Sequence, residues 1–334
     1  MIVPKWIERD DTIGVTACSR GKTAPVDLIR LDNGAKKFGE KGYHVIETPD
    51  VRTEEKGRSA SAIERAKQLH ELVRNPEVRW IIQACGGDYL AEMLSYVDFD
   101  LIKQNPKWHQ GYSDPTGLLF SITTNCDMAT VYGGNFGDFG MADWHKCLAD
   151  NVTILEGKQT RQESFPMYKD GFAKRITGYE DYEEDTPVKW ECQGDKAELS
   201  GRLLGGCLDV LLDLVGTRFD NTVNWCETYK EDGILWYLES FALSSERLTC
   251  GLWHLKEAGW FRHATGFVFG RPTFFSSDYE ISYKEAVEAV LGELNVPIVY
   301  EADIGHKAPR FTMINGAKAE IVVEKGKGTM EMFL

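Results

Sequence analysis

The chain lacks any apolar run approaching the ~20 residues that a membrane-spanning helix needs. Its first residues, MIVPKWIERDD, bring charge at Lys5 and Glu8 before an apolar stretch can build. That reads against a secretory signal, so a cytoplasmic location is expected. Positive charge is also scarce: 38 Lys and Arg stand against 52 Asp and Glu, for a net charge of −14. A chain this acidic is expected to bind neither nucleic acid nor an anionic membrane, since both need a positive surface. The eight cysteines (Cys18, Cys85, Cys126, Cys147, Cys192, Cys207, Cys226 and Cys250) include no C-x-x-C pair. That excludes a zinc knuckle and a small disulfide scaffold, and most are expected to be reduced and buried. No metal-ligand spacing such as H-E-x-x-H occurs. The glycine cluster YGGNFGDFG (132–140) lacks the Lys-Ser/Thr of a phosphate loop and does not open a helix as G-x-G-x-x-G would, so it reads as a loop.

What is present suffices for a large core, with 43% hydrophobic residues in 334. The first half alternates strands and helices. TIGVTACS, YHVIETP, the continuous apolar VRWIIQAC and KWHQGYS read as strands. SAIERAKQLHELVRN reads as an amphipathic helix with Ile63, Ala66, Leu69, Leu72 and Val73 on one face and a Ser61–Glu64 capping box. YLAEMLSYVDFDLIKQNP and DPTGLLFSITTNC read as helices, Pro115 suiting the first turn of the second. This rhythm predicts an α/β fold whose N-terminal domain (1–165) is a doubly wound parallel sheet. A polar crossing segment (166–195) follows, then a smaller, strand-rich α/β C-terminal domain (196–334). There SGRLLGGCLDVLLDLVG reads as a glycine turn and an apolar helix. GILWYLES and TGFVFGRP read as strands flanking the helix SSERLTCGLWHLKEAG. Asn315-Gly316 between apolar runs is a hairpin signal.

Several residues carry possible chemistry. Gln83-Ala84-Cys85-Gly86-Gly87 fits the caspase signature Q-A-C-[RQG]-G, which expects a histidine roughly 50 residues upstream. His44 lies 85 − 44 = 41 residues upstream, but inside an alternating strand. Cys85 is therefore either a nucleophile or a buried cysteine ending a central strand. The glycines after it allow close approach of a ligand to the backbone, and their N–H groups suit an oxyanion hole. Ser113, in GYSDPTGLL, stands between a strand and a helix, the setting of a nucleophile elbow, although Pro115 replaces the glycine of G-x-S-x-G. The N–H of Asp114 is then aimed at the developing oxyanion; alternatively either residue simply caps the helix. Glu239 ends the apolar strand ILWYLE, and His306 lies on the constrained loop DIGHKAP. Ser113, Glu239 and His306 follow the chain order nucleophile, acid, base. The bland readings are a loop glutamate and a surface histidine.

Taken in order, these stretches resemble the LD-carboxypeptidases, the serine peptidase family that also contains the microcin C immunity protein. IIQACGGDYLAEMLSYVDFDLIKQNPKWHQGYSDPTGLL is similar to the family's most specific block, and GRLLGGCLDVL, ILWYLES and GHKAPRFTMINGAKAEI to three later ones. The resemblance implies Ser113 as nucleophile, Glu239 and His306 as its partners, and Asp114 and Gly87 as oxyanion donors. Gly86, Asp88 and Lys307, neighbours of these in the chain, are assigned to substrate binding. It also implies a homodimer, no metal or organic cofactor, and a small peptide or an aminoacyl-nucleotide as substrate. In the nucleotide case Trp236 or Trp260 is a candidate to stack on the base. Cys85 stands where many members have arginine, Cys207 where they have asparagine, and Met313-Ile314-Asn315 where they have Leu-Pro. The expected activity is release of a terminal D-alanine from a murein tetrapeptide. The alternatives are an immunity-type hydrolase of aminoacyl-nucleotides, a Cys85-dependent hydrolase and a non-catalytic binding module.

Overall fold

A computed structural model describes residues 1–334, which divide into two compact units. The first comprises Met1–Thr160, Ala173–Glu183 and Phe311–Ile314; the second comprises Arg161–Phe172, Glu184–Arg310 and Asn315–Leu334.

The first unit is built on β1 (Thr12–Thr16), β2 (His44–Glu47), β3 (Val78–Gln83), β4 (Trp108–Gly111) and β5 (Thr130–Tyr132). These strands are parallel and lie in the order β5-β4-β3-β1-β2, with strand Met313–Asn315 beside β5. The 2-1-3-4-5 order is that of a doubly wound sheet, which opens a crevice at the carboxyl ends of β1 and β3, where the winding reverses. Helix α1 (Pro25–Glu40) starts with a proline in its first turn and Asp27 near its N-terminus and carries Lys37 in its last turn. Its buried Phe38 packs among Trp80, Phe136, Phe139 and Trp144. Phe136–Gly140, read from sequence as loop, is a 3-10 turn closed by an Asn135–Asp138 capping box and buried against α1.

Helix α2 (Ala62–Arg74) starts at Ser61, whose hydroxyl accepts from the Glu64 N–H. Ala66, Leu69, Leu72 and Val73 are buried as the periodicity predicts, but Ile63 is 60% exposed. Its place on the inner face is taken by Arg65, which is fully buried and donates to the carbonyls of Cys18 and Tyr89. The helix expected over 89–106 is two short ones, Ala91–Leu94 and Phe99–Gln104; the Asp98 side chain accepts from Leu101 N and restarts the second.

The second unit holds an eight-stranded mixed sheet. Its parallel centre is Lys196–Cys207, Ile234–Glu239, Ala264–Gly270 and Ile298–Ala302; Lys318–Glu324 and Lys327–Phe333 extend it antiparallel. Ser200–Cys207 is thus strand rather than a glycine turn, and only Leu208–Leu214 is helical. Asn315-Gly316 does not join a hairpin, because Met313–Asn315 belongs to the six-stranded sheet and Lys318–Glu324 to the eight-stranded one. Asn315 Oδ1 instead accepts from Gly205 N at 3.0 Å and Tyr237 Oη at 2.8 Å. The hairpin of this region turns at Lys325-Gly326, both at positive φ as a two-residue primed turn requires. Trp236 and Trp260 are completely buried and stacked on each other at 5.8 Å, so both are core and neither is placed to meet a base.

One buried group on β4 couples this core to pH. His109 is 1% exposed, and neither ring nitrogen has a protein hydrogen-bond partner. Burial, with Lys107 nearby, pushes its pKa from 6.5 down to about 3. The unfolded chain therefore binds a proton below ~6.5 that the folded chain refuses, and stability falls with pH across that window by up to ~1.4 kcal/mol per unit. His109→Leu should remove this component. In urea unfolding, the variant should gain about 2 kcal/mol on the parent between pH 7 and pH 5; an unchanged difference would show that His109 does not titrate in this way.

Candidate active site

In the first unit, the crevice where the winding reverses is walled by three loops. The loop after β1 carries Ser19, that after β3 carries Gly86 and Gly87, and that after β4 carries Ser113 and Asp114. Ser113 is half-buried and sits at φ +71°, a left-handed conformation that a serine adopts only under constraint. Its N–H lies 3.3 Å from the Tyr132 hydroxyl, and its carbonyl accepts from Thr116 N at 2.9 Å and Thr116 Oγ1 at 2.6 Å. Those bonds fix a sharp strand-to-helix turn leading into Thr116–Cys126. Pro115 is the residue before the helix, one place earlier than expected.

Asp114 contributes more than an N–H. Its carboxylate is buried and accepts from the Ser19 hydroxyl and from Leu90 N at 2.9 Å. Burial raises its pKa, and these two donors pull it back. The carboxylate thereby ties all three loops together. Gly86 is required at its place: a Cβ there would lie 2.9 Å from both Cβ and Oγ of Ser113. Gly87, at φ +154°, has the Ser19 and Arg20 side chains against it. Asp88 is exposed on the same loop.

Cys85 and His44 are not brought together. Thr12 of β1 pairs with His44, whereas Thr16 pairs with Gln83. His44 therefore begins edge strand β2 at the amino end of the sheet, and Cys85 follows β3 at the carboxyl end. His44 and Gln83, the last residue of β3, are already about 13 Å apart along the strands and two strand spacings of ~4.8 Å across them, and Cys85 lies two residues further on. The Cys85 thiol donates to the Arg20 carbonyl at 2.9 Å, and burial pushes its pKa up to about 11. A neutral, buried thiol with no base is a poor nucleophile.

In the second unit, Glu239 is the last residue of a strand buried along its whole length and is itself 0% exposed. Its Oε2 lies 2.9 Å from His306 Nδ1. His306 is 6% exposed and stacks at a tilt on Phe241, ring centroids 4.6 Å apart. Gly305, at φ +95°, allows the approach: a Cβ there would lie 2.6 Å from Glu239 Oε2. Arg310 Nε donates to the Gly305 carbonyl at 2.7 Å and fixes the turn. Phe241 is held by its own N–H, which donates to Asp209 Oδ2 at 2.8 Å, as does Ala242 N to Oδ1 at 3.0 Å. Cys207 is the strand partner of Glu239, and burial with that neighbouring carboxylate drives its thiol pKa well up. Lys307 is tied to Asp170 at 2.7 Å. No group of three or more His, Cys, Asp or Glu side chains is arranged to hold a metal.

The first unit thus holds a strained strand–turn–helix serine, and the second a buried histidine–carboxylate pair. The family model of the LD-carboxypeptidase N-terminal domain matches residues 13–133, and that of the C-terminal domain matches 200–321. The chain belongs to the LD-carboxypeptidase family. It is thus a member of a serine peptidase family of carboxypeptidase type. Among relatives, a Bacillus subtilis protein named as a probable murein peptide carboxypeptidase is 28% identical, covering 95% of this chain and 90% of its own length. The Escherichia coli microcin C7 self-immunity protein MccF is 26% identical, covering 93% and 90%. Among solved structures, wild-type MccF in its apo state has a TM-score of 0.83 at 23% identity, covering 100% of this chain and 98% of its own. A muramoyltetrapeptide carboxypeptidase from Oxalobacter formigenes has 0.73 at 21% identity, covering 97% and 99%. At those identities the structures show a shared fold.

Ser19, the Asp114 carboxylate, Phe241 and Asp209 were not reached from the sequence as parts of the site. The signal for Phe241 was available: it lies two residues beyond Glu239, where a strand end must turn. Two substitutions probe this geometry. Gly86→Ala should push Ser113 aside and lower kcat at least tenfold. Cys85→Ala should leave kcat within twofold of the parent; a Cys85→Ala enzyme without activity would return the thiol to candidacy.

Proposed function

We propose that the protein is a serine hydrolase that cleaves an amide bond next to a terminal carboxylate, as a murein tetrapeptide carboxypeptidase releasing D-alanine. The observation that carries the reading is Ser113 at φ +71°, a strained serine on a turn tied down by Asp114 and Thr116. Strain of this kind is kept where a side chain must be presented. In this reading Ser113 Oγ attacks the scissile carbonyl, and His306 Nε2 takes its proton. Glu239 holds the imidazole through Nδ1 and stabilises the imidazolium. The N–H groups of Asp114 and Gly87 receive the oxyanion, which the start of helix Thr116–Cys126 favours further. The tetrahedral intermediate collapses as His306 returns the proton to the leaving amine, and water then releases the acyl group by the same route. Gly86, Asp88 and Lys307 line the path of the substrate. The reading includes a homodimer acting in the cytoplasm; no helix is long and apolar enough to cross a membrane.

A second reading rests on Cys85. Its thiol is turned to the Arg20 carbonyl, so that position offers no guanidinium to a substrate carboxylate. This favours an immunity-type hydrolase of aminoacyl-nucleotides; MccF has been solved in complex with aspartyl sulfamoyl adenosine. Mass spectrometry of the purified protein with each compound separates the two. Release of D-alanine from a murein tetrapeptide, abolished in Ser113→Ala, is the expected outcome. Release of aspartate from aspartyl sulfamoyl adenosine alone would move the protein to the second reading. No Ser113-dependent product from either would overturn both.

A further inference from the structure

We propose that the buried Arg271–Asp303 pair is a positioning device that sets the His306 imidazole against Glu239. The inference rests on His306 acting as the base. Asp303 is completely buried three residues before His306, and Arg271 is 1% exposed. Asp303 Oδ1 accepts from Arg271 Nη2, and Oδ2 accepts from Phe165 N at 3.1 Å and Trp190 Nε1 at 3.0 Å. Four separated stretches of chain therefore meet on one carboxylate at the base of the histidine loop. The Arg271 guanidinium lies over the Tyr168 ring, 4.1 Å from its centroid.

The pair grips both sides of the catalytic contact. Arg271 follows Gly270 directly, and a Cβ on Gly270 would lie 3.1 Å from Glu239 Cβ. Asp303 is two residues from Gly305, whose missing side chain lets the loop touch the Glu239 carboxylate. Between Ile298 and Ala302 the strand is deformed to bring this about: Glu301 stands at φ +59°, and the register against the neighbouring strand shifts between Val268 and Gly270.

Energetics argue that the pair is not kept for stability. Burying an ion pair costs desolvation that apolar residues of similar volume avoid, often at no loss of stability. This pair is also incompletely satisfied, since Arg271 Nε and Nη1 have no protein hydrogen-bond partner. What charge supplies and apolar packing does not is direction: the carboxylate fixes donors at set angles and so fixes where the loop starts. A shift of about 1 Å in a reacting group costs on the order of a hundredfold in rate.

The test uses the full chain as Arg271→Met/Asp303→Asn, with Arg271→Lys as a milder variant. Activity is read on a murein tetrapeptide and on aspartyl sulfamoyl adenosine. The His306 Nδ1–H resonance is read by proton NMR on histidine-labelled protein and assigned by its loss in His306→Ala. The expected result is a melting temperature within a few degrees of the parent, kcat down at least tenfold, KM within twofold, and a shifted or broadened resonance. Arg271→Lys should keep the fold and lose three- to tenfold in kcat, so it carries the test if the double variant does not fold. Parental kcat and resonance in a folded variant would overturn the proposal and leave the pair structural. Parental activity in both His306→Ala and Glu239→Gln would instead overturn the reading of His306 as the base, a separate failure.

Discussion

A carboxylate taken out of water must be given donors, and at Asp114 that requirement organises the first unit's crevice. Its donors come from Ser19 and Leu90, on the loops that follow β1 and β3. Parallel strands put all their carboxyl ends on one side, so three loops distant in sequence arrive together. The buried charge then holds them in one arrangement. Ser113 is the residue next to it, and its unfavourable backbone conformation is sustained by these bonds. Gly86 and Gly87 are glycines because the loops are drawn too close for a Cβ.

The second unit solves the analogous problem from the other direction. Glu239 and Asp303 are both wholly buried, and each is matched by a nitrogen side chain: an imidazole at 2.9 Å for the first, a guanidinium for the second. The two are linked through Gly270–Arg271 and Asp303–Gly305. Small residues permit the approach and charged ones fix its direction. The same division of labour appears at Gly86 beside Ser113.

How much of this was legible follows from which signals are local. The central strands VRWIIQ and ILWYLE read correctly because strands covered on both faces become unbroken apolar runs. The strand Lys196–Cys207 did not, because its glycines look like turn residues. Gly205 is glycine because the Tyr237 carbonyl lies against its Cα, a tertiary fact with no trace in the neighbouring residues. Asn315-Gly316 announces a turn correctly, but which sheet each arm joins is decided far away in the chain. Arg65 displaced Ile63 from the buried face of α2 because two loop carbonyls needed a donor there. Strand ends and loops single out Ser113, Glu239 and His306 in the sequence; the structure sets Ser113 on a strand-to-helix turn and Glu239 beside His306. The burial of Arg271 and Asp303 is not legible in the sequence, since a charged residue just past the end of an apolar strand reads as the start of a solvated loop.

Glu239 has one more consequence, for descent rather than catalysis. It has no exposed surface, and the imidazole beside it accounts for one of its oxygens. Losing His306 first would take a partner from a wholly buried carboxylate, whereas losing the glutamate first removes the buried carboxylate itself. Lineages drifting away from hydrolysis are thus channelled: the acid can erode while the base persists, and the reverse order meets a folding barrier. Paralogues retaining histidine without glutamate should outnumber those retaining glutamate without histidine, and the inequality would record a constraint of burial, not of chemistry.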